Sequence, residues 1–409
     1  MTEPRRDPWL LTPGPLTTSR TVKEAMLHDW GSRDAEFIKL NARVRERLVE
    51  LAGGQGTHVC VPLQGSGTFI VEAMIGTLVP RSGKLAVLVN GAYGARMVRM
   101  CEYLRRDRVV LETPEDTPVD PGALDAALAA DAAITHVVVV QCETTSGVLN
   151  PVEEIAAVTA RRGRRLLVDA MSAFGALPLD AAVIPYDALA ASSNKCLEGV
   201  PGVGFAIIRQ SALGAAKGNA PSLSLDLHDQ WAAMEKTRQW RFTPPTHVLA
   251  ALDQALAEHA AEGGVAGRGA RYASNCRILV EGLRALGFET LLPDALQAPI
   301  IVTVRMPADP KFSFESFYDR LSRRGYVIYP GKLTVADSFR IGCIGRLGEG
   351  EMRGVLLAIS EILAEMGVTR CAPAGRYHAT TYPNKMLKDS QAAQKGPDAR
   401  RRPRAARST

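Results

Sequence analysis

Between residues 57 and 209 seven short apolar runs alternate with amphipathic stretches, and this alternation limits the fold more than any other feature of the chain. The runs are THVCVPL (57–63), KLAVLVN (84–90), DRVVLE (107–112), ITHVVVVQ (134–141), RRLLVDA (164–170), YDALAAS (186–192) and VGFAIIR (203–209). Valine and isoleucine fill them without strict polar alternation, the pattern of strands covered on both faces. Segments with a helical pattern, such as GTFIVEAMIGTLV and PVEEIAAVTARRG, lie between several of them. Strands separated by helices predict an α/β fold with a mostly parallel, seven-stranded sheet. Ligands of such sheets gather at the carboxyl ends of the strands.

After about residue 265 the pattern changes. A helix (ASNCRILVEGLRALG), three strand-like runs (PIIVTVRM, GYVIYP, SFRIGCI) and a last helix (EGEMRGVLLAISEILAEMG) predict a smaller α+β domain. The expected organisation is an N-terminal segment 1–15, a large α/β domain 16–262, a small domain 263–368 and a basic tail 369–409. No internal repeat is present. The net charge of +6 is concentrated at the C-terminus, where residues 385–409 hold eight Lys/Arg and two Asp. The rest of the chain is therefore close to neutral. A tail so rich in Arg, Ala and Pro is expected to be disordered and solvated, and nucleic acid is not expected as its partner.

Composition excludes other classes. At 46% hydrophobic and 22% charged residues the chain reads as an ordinary globular protein. No apolar run is long enough to span a membrane, and MTEPRRDPWLLTPGP lacks a signal core. The seven cysteines are scattered with no C-x-x-C pair, which argues against zinc or a disulfide framework. A reducing, cytoplasmic setting is expected.

The carboxyl ends of the expected strands carry the chemistry. After the first comes Gln64-Gly-Ser-Gly-Thr68 at the start of a helix. Small residues before a helix N-terminus make an anion seat, although a tight strand-to-helix turn explains them equally well. After the second, NGAYGAR places Tyr93 among glycines. ETTSGVLNP supplies hydroxyls after the fourth. Asp169 closes the fifth, and a carboxylate there calls for a cap or a cation. ASSNKCLEGVPG places Lys195 after the sixth. A lysine in that setting either lays its stem on apolar surface with its head in water or works as an amine nucleophile. An anion cradle, an aromatic ring, a carboxylate and a lysine on one edge suit pyridoxal 5′-phosphate. That cofactor needs a lysine for its aldehyde, a carboxylate for its ring nitrogen and a seat for its phosphate.

These motifs also resemble a known family. LLTPGPLTTSRTVKEAML, LQGSGTFIVEA, NGAYGARM, ETTSGVLNP, VDAMSAFG, SSNKCLEGVPG, RFTPPTHVL and YPGKLT…FRIGCIG are similar to the 2-aminoethylphosphonate–pyruvate aminotransferases. These are class V, fold-type I pyridoxal-phosphate enzymes of the alanine–glyoxylate/serine–pyruvate branch. The resemblance covers about residues 10 to 366. It implies that Lys195 holds the cofactor aldehyde and shuttles the proton between substrate and cofactor carbons. It further implies Asp169 on the pyridinium nitrogen, Tyr93 stacked on the ring, Thr145 near the ring hydroxyl, and Ser66, Gly67 and Thr68 on the phosphate. Thr243 and Trp240 would complete the phosphate site of a neighbouring subunit in a homodimer, and Arg340 would grip the substrate anion. The implied substrates are 2-aminoethylphosphonate and pyruvate, giving phosphonoacetaldehyde and L-alanine in phosphonate catabolism. Two alternatives stand beside this reading: an alanine–glyoxylate/serine–pyruvate-type aminotransferase or other pyridoxal-phosphate enzyme with a different amino donor, and a non-catalytic binding protein whose basic tail contacts nucleic acid.

Overall fold

The computed structural model describes residues 7–334 and 336–375. The expected basic tail falls mostly on residues 376–409, which lie outside the described residues. The chain opens with a short strand, β1 (Trp9–Leu10), and then builds β2 (His58–Gln64), β3 (Lys84–Val89), β4 (Asp107–Glu112) and β5 (Ile134–Val140). A small hairpin follows, β6 (Cys142–Glu143) with β7 (Val148–Leu149), and then β8 (Arg165–Asp169), β9 (Ala188–Ser192) and β10 (Val203–Arg209). The large sheet has the order β2-β10-β9-β8-β5-β3-β4. Only β10 runs against its neighbours; the other six strands point the same way. Six carboxyl ends therefore share one edge.

The side chains of this sheet divide cleanly between two cores. Cys60, Ala86, Leu88, Val137, Val139, Leu166, Val168 and Leu189 enter one. Val61, Leu85, Val87, Val138, Leu167 and Ala190 enter the other. Successive residues of a strand face opposite sides, so a strand covered on both sides must be apolar throughout. Each fully buried Val, Leu or Ile contributes about 1.5–3 kcal/mol. The helix Gly67–Leu78 and the helix Ala92–Tyr103 supply much of the second core, while the helix Ala35–Leu51 and the helix Thr246–Ala261 help close the first.

The helix Gly264–Ala285 leads from this body to a second, smaller one. There β11 (Ile301–Arg305), β12 (Tyr326–Val327), β13 (Tyr329–Pro330) and β14 (Ser338–Gly342) form. β14 lies between β11 and β13, antiparallel to both, whereas β12 pairs in parallel with β1. The helix Phe314–Arg323 and the helix Glu349–Met366 cover this region around Phe317, Phe339 and Ile359. The N-terminal segment is thus sewn to the small sheet: Leu11 N–H donates to Val327 O, and Gly342 N–H to Leu11 O. From there it crosses to the carboxyl edge of the large sheet. Among the described residues no helix is long and apolar enough to cross a membrane.

The helix Gly264–Ala285 starts nine residues before the run that announces it. Its first turns carry Gly267 and Gly269, each worth about 1 kcal/mol against a helix. Contacts outweigh that cost. A Cβ on Gly269 would meet Ala176 O at 2.5 Å, so the glycine permits the close approach. Arg268 and Tyr272 are fully buried beside it.

Candidate active site

A cavity of about 500 Å³ opens at the shared carboxyl edge. Lys195, Asp169, Ser66, Gly67, Thr68 and Tyr93 all line it, arriving from the ends of four strands, β9, β8, β2 and β3, or the turns beyond them.

Lys195 follows β9, and its loop is firmly held. Glu198 takes φ +60°, a left-handed conformation that costs a residue with a side chain about 1–3 kcal/mol. Its buried carboxylate accepts from Arg271 Nη2 at 2.7 Å and Tyr272 Oη at 2.6 Å. Arg268 Nη1 donates to Cys196 O at 2.5 Å. The Lys195 ammonium donates to Pro13 O at 2.5 Å, on the N-terminal segment. Gly14 beside it has φ +119°, and a Cβ there would lie 2.5 Å from Lys195 Nζ. Glycine is thus required both by backbone conformation and by the lysine. Burial, reinforced by the positive charge of Lys332, holds Lys195 below the usual lysine range against the opposing pull of Tyr93, Cys196 and Asp169. A lysine so placed yields its proton more readily and becomes a better nucleophile.

Asp169 ends β8. Among the described residues its carboxylate accepts one hydrogen bond, from Met171 N–H at 3.0 Å. Burial, with the Glu143 carboxylate nearby, raises it to about 6, against the pull of the Met171 N–H, Arg96 and Lys195. It is a carboxylate facing a cavity and short of a cationic partner.

Ser66 stands at the N-cap of the helix Gly67–Leu78 without using its hydroxyl as a cap. Phe69 N–H turns back to Ser66 O at 3.0 Å, but the N–H groups of Gly67 and Thr68 have no acceptor four residues back and remain available to a ligand. Arg96, also lining the cavity, donates to Thr68 Oγ1 at 3.2 Å. A helix N-terminus, two hydroxyls and a guanidinium together make a seat for an anion.

Tyr93 lies in the first turn of the helix Ala92–Tyr103. The Glu143 carboxylate accepts from the N–H groups of Tyr93 (3.1 Å) and Gly94 (3.3 Å), and from Thr145 N and Oγ1 at 3.0 and 2.7 Å. Burial nevertheless raises Glu143 above the ordinary carboxylate range. The Tyr93 ring has the Arg96 guanidinium 4.9 Å and the Lys332 ammonium 4.8 Å from its centroid. Burial pushes the Tyr93 phenol up, but Lys332, a hydrogen bond with Thr144 and Lys195 outweigh it, and the phenol lies below its usual range.

Four expected site residues stand elsewhere. Thr145 is fully buried, its hydroxyl donating to Glu143 and accepting from Ala92 N–H; Thr144 is the residue that faces the cavity. The hairpin of β6 and β7 turns the second threonine inward, where the Glu143 carboxylate takes it. Arg340, in β14, is 1% exposed and donates to Thr144 O (2.7 Å) and Pro330 O (3.1 Å). Burial lowers its basicity, opposed by Tyr93 and Glu143. It backs the wall of the cavity beside Thr144 without lining it. Trp240 donates to Asn41 Oδ1 at 2.9 Å, and Thr243 is exposed; neither lines the cavity of its own chain. Motif reading missed Glu143, Arg96 and Lys332, although all three lie inside the quoted motifs. The signal for Glu143 was a carboxylate three residues past an apolar strand, close to the signal that drew attention to Asp169.

The residues present fit pyridoxal 5′-phosphate. The under-bonded Asp169 suits a ring nitrogen that carries a proton, the helix N-terminus suits the phosphate, and Lys195 suits the aldehyde.

Comparison with known proteins agrees with this chemistry. Residues 24–320 match the aminotransferase class-V family. The chain is 58% identical over 365 residues to a 2-aminoethylphosphonate–pyruvate transaminase of Burkholderia pseudomallei, covering 89% of this chain and 99% of that one. It is 55% identical over 368 residues to that of Pseudomonas aeruginosa, with 90% and 99% covered. Among solved structures, the alanine–glyoxylate aminotransferase of Nostoc sp. superposes with a TM-score of 0.82 at 23% identity, over 89% of this chain and 97% of that one. At that identity the likeness speaks for the fold.

Proposed function

The chain belongs to the class-V aminotransferase family, and from that premise we propose that it moves the amino group of 2-aminoethylphosphonate to pyruvate, giving phosphonoacetaldehyde and L-alanine. One observation carries the reading: Lys195, Asp169 and the N-terminus of the helix Gly67–Leu78 meet in one cavity, in a chain more than half identical to transaminases of that name. Bound there, pyridoxal 5′-phosphate supplies an aldehyde that accepts the amino group and a protonated ring that draws electrons from the neighbouring carbon.

The chain's own residues do the rest. Lys195 Nζ would hold the aldehyde and, as a free amine, would take the proton from the amine-bearing carbon. Burial lowers its basicity, which favours the neutral amine. Asp169 keeps the ring nitrogen protonated, and that ion pair ends its isolation. Ser66, Gly67 and Thr68, with Arg96 beside them, hold the phosphate. Tyr93 and Thr144, which line the cavity, would pack against the ring. Arg340, standing behind the wall at Thr144, supplies positive charge to the substrate anion from there. Pyruvate then runs the sequence backwards, with Lys195 returning the proton to the carbon that becomes Cα of alanine. Thr243 and Trp240 act in a homodimer, on the phosphate of the neighbouring subunit. A cytoplasmic setting is supported by seven buried, unpaired thiols.

A donor screen with pyruvate as acceptor tests the function. 2-Aminoethylphosphonate is expected to give L-alanine far faster than serine, glycine or other α-amino acids. A preference for an α-amino acid donor would refute it.

A further inference from the structure

We propose that Lys332 is the second cation of the substrate-anion site, the group that lets the cavity prefer a phosphonate to a carboxylate. Its Nζ stands 3.4 Å from Tyr93 Oη and 4.8 Å from the Tyr93 ring centroid, and Tyr93 lines the cavity. Among the described residues Lys332 makes no ion pair, so its charge is not spent on a carboxylate. Lys332 is also one of the charges that lower Lys195, which places its field inside the site.

The loop that carries it is held. Lys332 lies between β13 and β14. Thr334 N–H and Oγ1 donate to the Glu115 carboxylate at 3.1–3.3 Å, and Gly331 N–H donates to Ser338 O at 2.9 Å. Glu115 is fully buried and belongs to the stretch after β4. The loop after β13 therefore presents an ammonium to Tyr93 in the cavity wall, and Glu115, from the stretch after β4, holds that loop.

The chemistry of the substrates gives this cation its use. Pyruvate and alanine offer one negative charge on two oxygens, which one guanidinium satisfies as a fork. A phosphonate offers a third oxygen and up to one more charge. Arg340 gives Nε and Nη1 to Pro330 O and Thr144 O, and it brings a single positive charge. Coulomb attraction scales with the product of charges, so an added ammonium helps a dianion about twice as much as a monoanion. The inference rests on 2-aminoethylphosphonate being the donor.

The test uses the full-length holoenzyme and two unreactive anions, ethylphosphonate and propionate, with affinity measured calorimetrically. Lys332→Met is expected to weaken ethylphosphonate binding about tenfold, the low end for a charge-assisted contact because the lysine is exposed. Propionate should weaken less than about threefold. Lys332→Arg should restore most of the ethylphosphonate affinity. The KM for 2-aminoethylphosphonate should rise in the Met variant by more than the KM for pyruvate. Equal ethylphosphonate affinity in wild type and Lys332→Met, or an equal loss for both anions, overturns the inference while leaving the proposed function standing. A wild-type enzyme that neither binds ethylphosphonate nor turns over 2-aminoethylphosphonate removes both.

Discussion

At the scale of single residues, the site turns on charges that the fold has left incomplete. Asp169 is the clearest. With one hydrogen bond and a burial that raises it to about 6, it is a poor carboxylate until a cation arrives. Its folded-state value lies above the ordinary one, so in the cofactor-free chain this group's contribution to stability falls as pH rises from roughly 4 to about 6. A bound pyridinium offsets that loss. Cofactor affinity should therefore drop as pH falls through about 6, where the proton competes with the ring nitrogen for the carboxylate. Asp169→Asn should bind cofactor weakly, lack this pH step, and lose roughly 10²–10⁴ in turnover. Spectrophotometric cofactor titrations from pH 5 to 8 check it; an unchanged step in the variant would mean another group is responsible. Lys195 and Asp169 were legible in the sequence because each is a charged residue closing an apolar run. The inward turn of Thr145 was not, since ETTSG offers two adjacent threonines and only the Glu143 carboxylate decides which is buried.

At the scale of elements, the seven strands of the large sheet fall within two residues of the apolar runs that announce them. Coverage on both faces writes itself into composition. GYVIYP was less legible. It breaks into β12 and β13, which pair with β1 and β14, and such long-range partners leave no local mark. The early start of the helix Gly264–Ala285 was hidden for the same reason: its glycines read as breaks until Ala176 and Cys196 are placed against it. The helix Ala92–Tyr103 rests on a tertiary contact as well. Gly91 at its N-cap has no side chain, and a Cβ there would lie 2.5 Å from Glu143 Cδ. Glu143 reaches across from β6 to accept the N–H groups of Tyr93 and Gly94. Removing it strands buried donors, at about 1–3 kcal/mol. Glu143→Ala should lower urea stability by that amount and loosen Tyr93; unchanged stability would show that water replaces the carboxylate without cost.

At the scale of the whole molecule, the large sheet supplies the lysine, the carboxylate and the anion seat, while the small sheet supplies Arg340 and Lys332. The N-terminal segment joins them, running from its pairing with the small sheet to the carbonyl that receives Lys195. A homodimer would add Thr243, exposed on its own chain. Mixing inactive Lys195→Ala with a disruptive Thr243→Glu should then restore part of the activity through hybrid dimers, one of whose sites carries neither change. A fully active monomer in sedimentation would exclude this. The central claim is that one cavity performs both half-reactions in turn. Holoenzyme given excess 2-aminoethylphosphonate without pyruvate, followed by phosphorus NMR, measures it most directly. The account predicts one phosphonoacetaldehyde per active site and then arrest, with turnover resuming and L-alanine appearing only when pyruvate is added. Continued release of phosphonoacetaldehyde without pyruvate, or none at all, would contradict it.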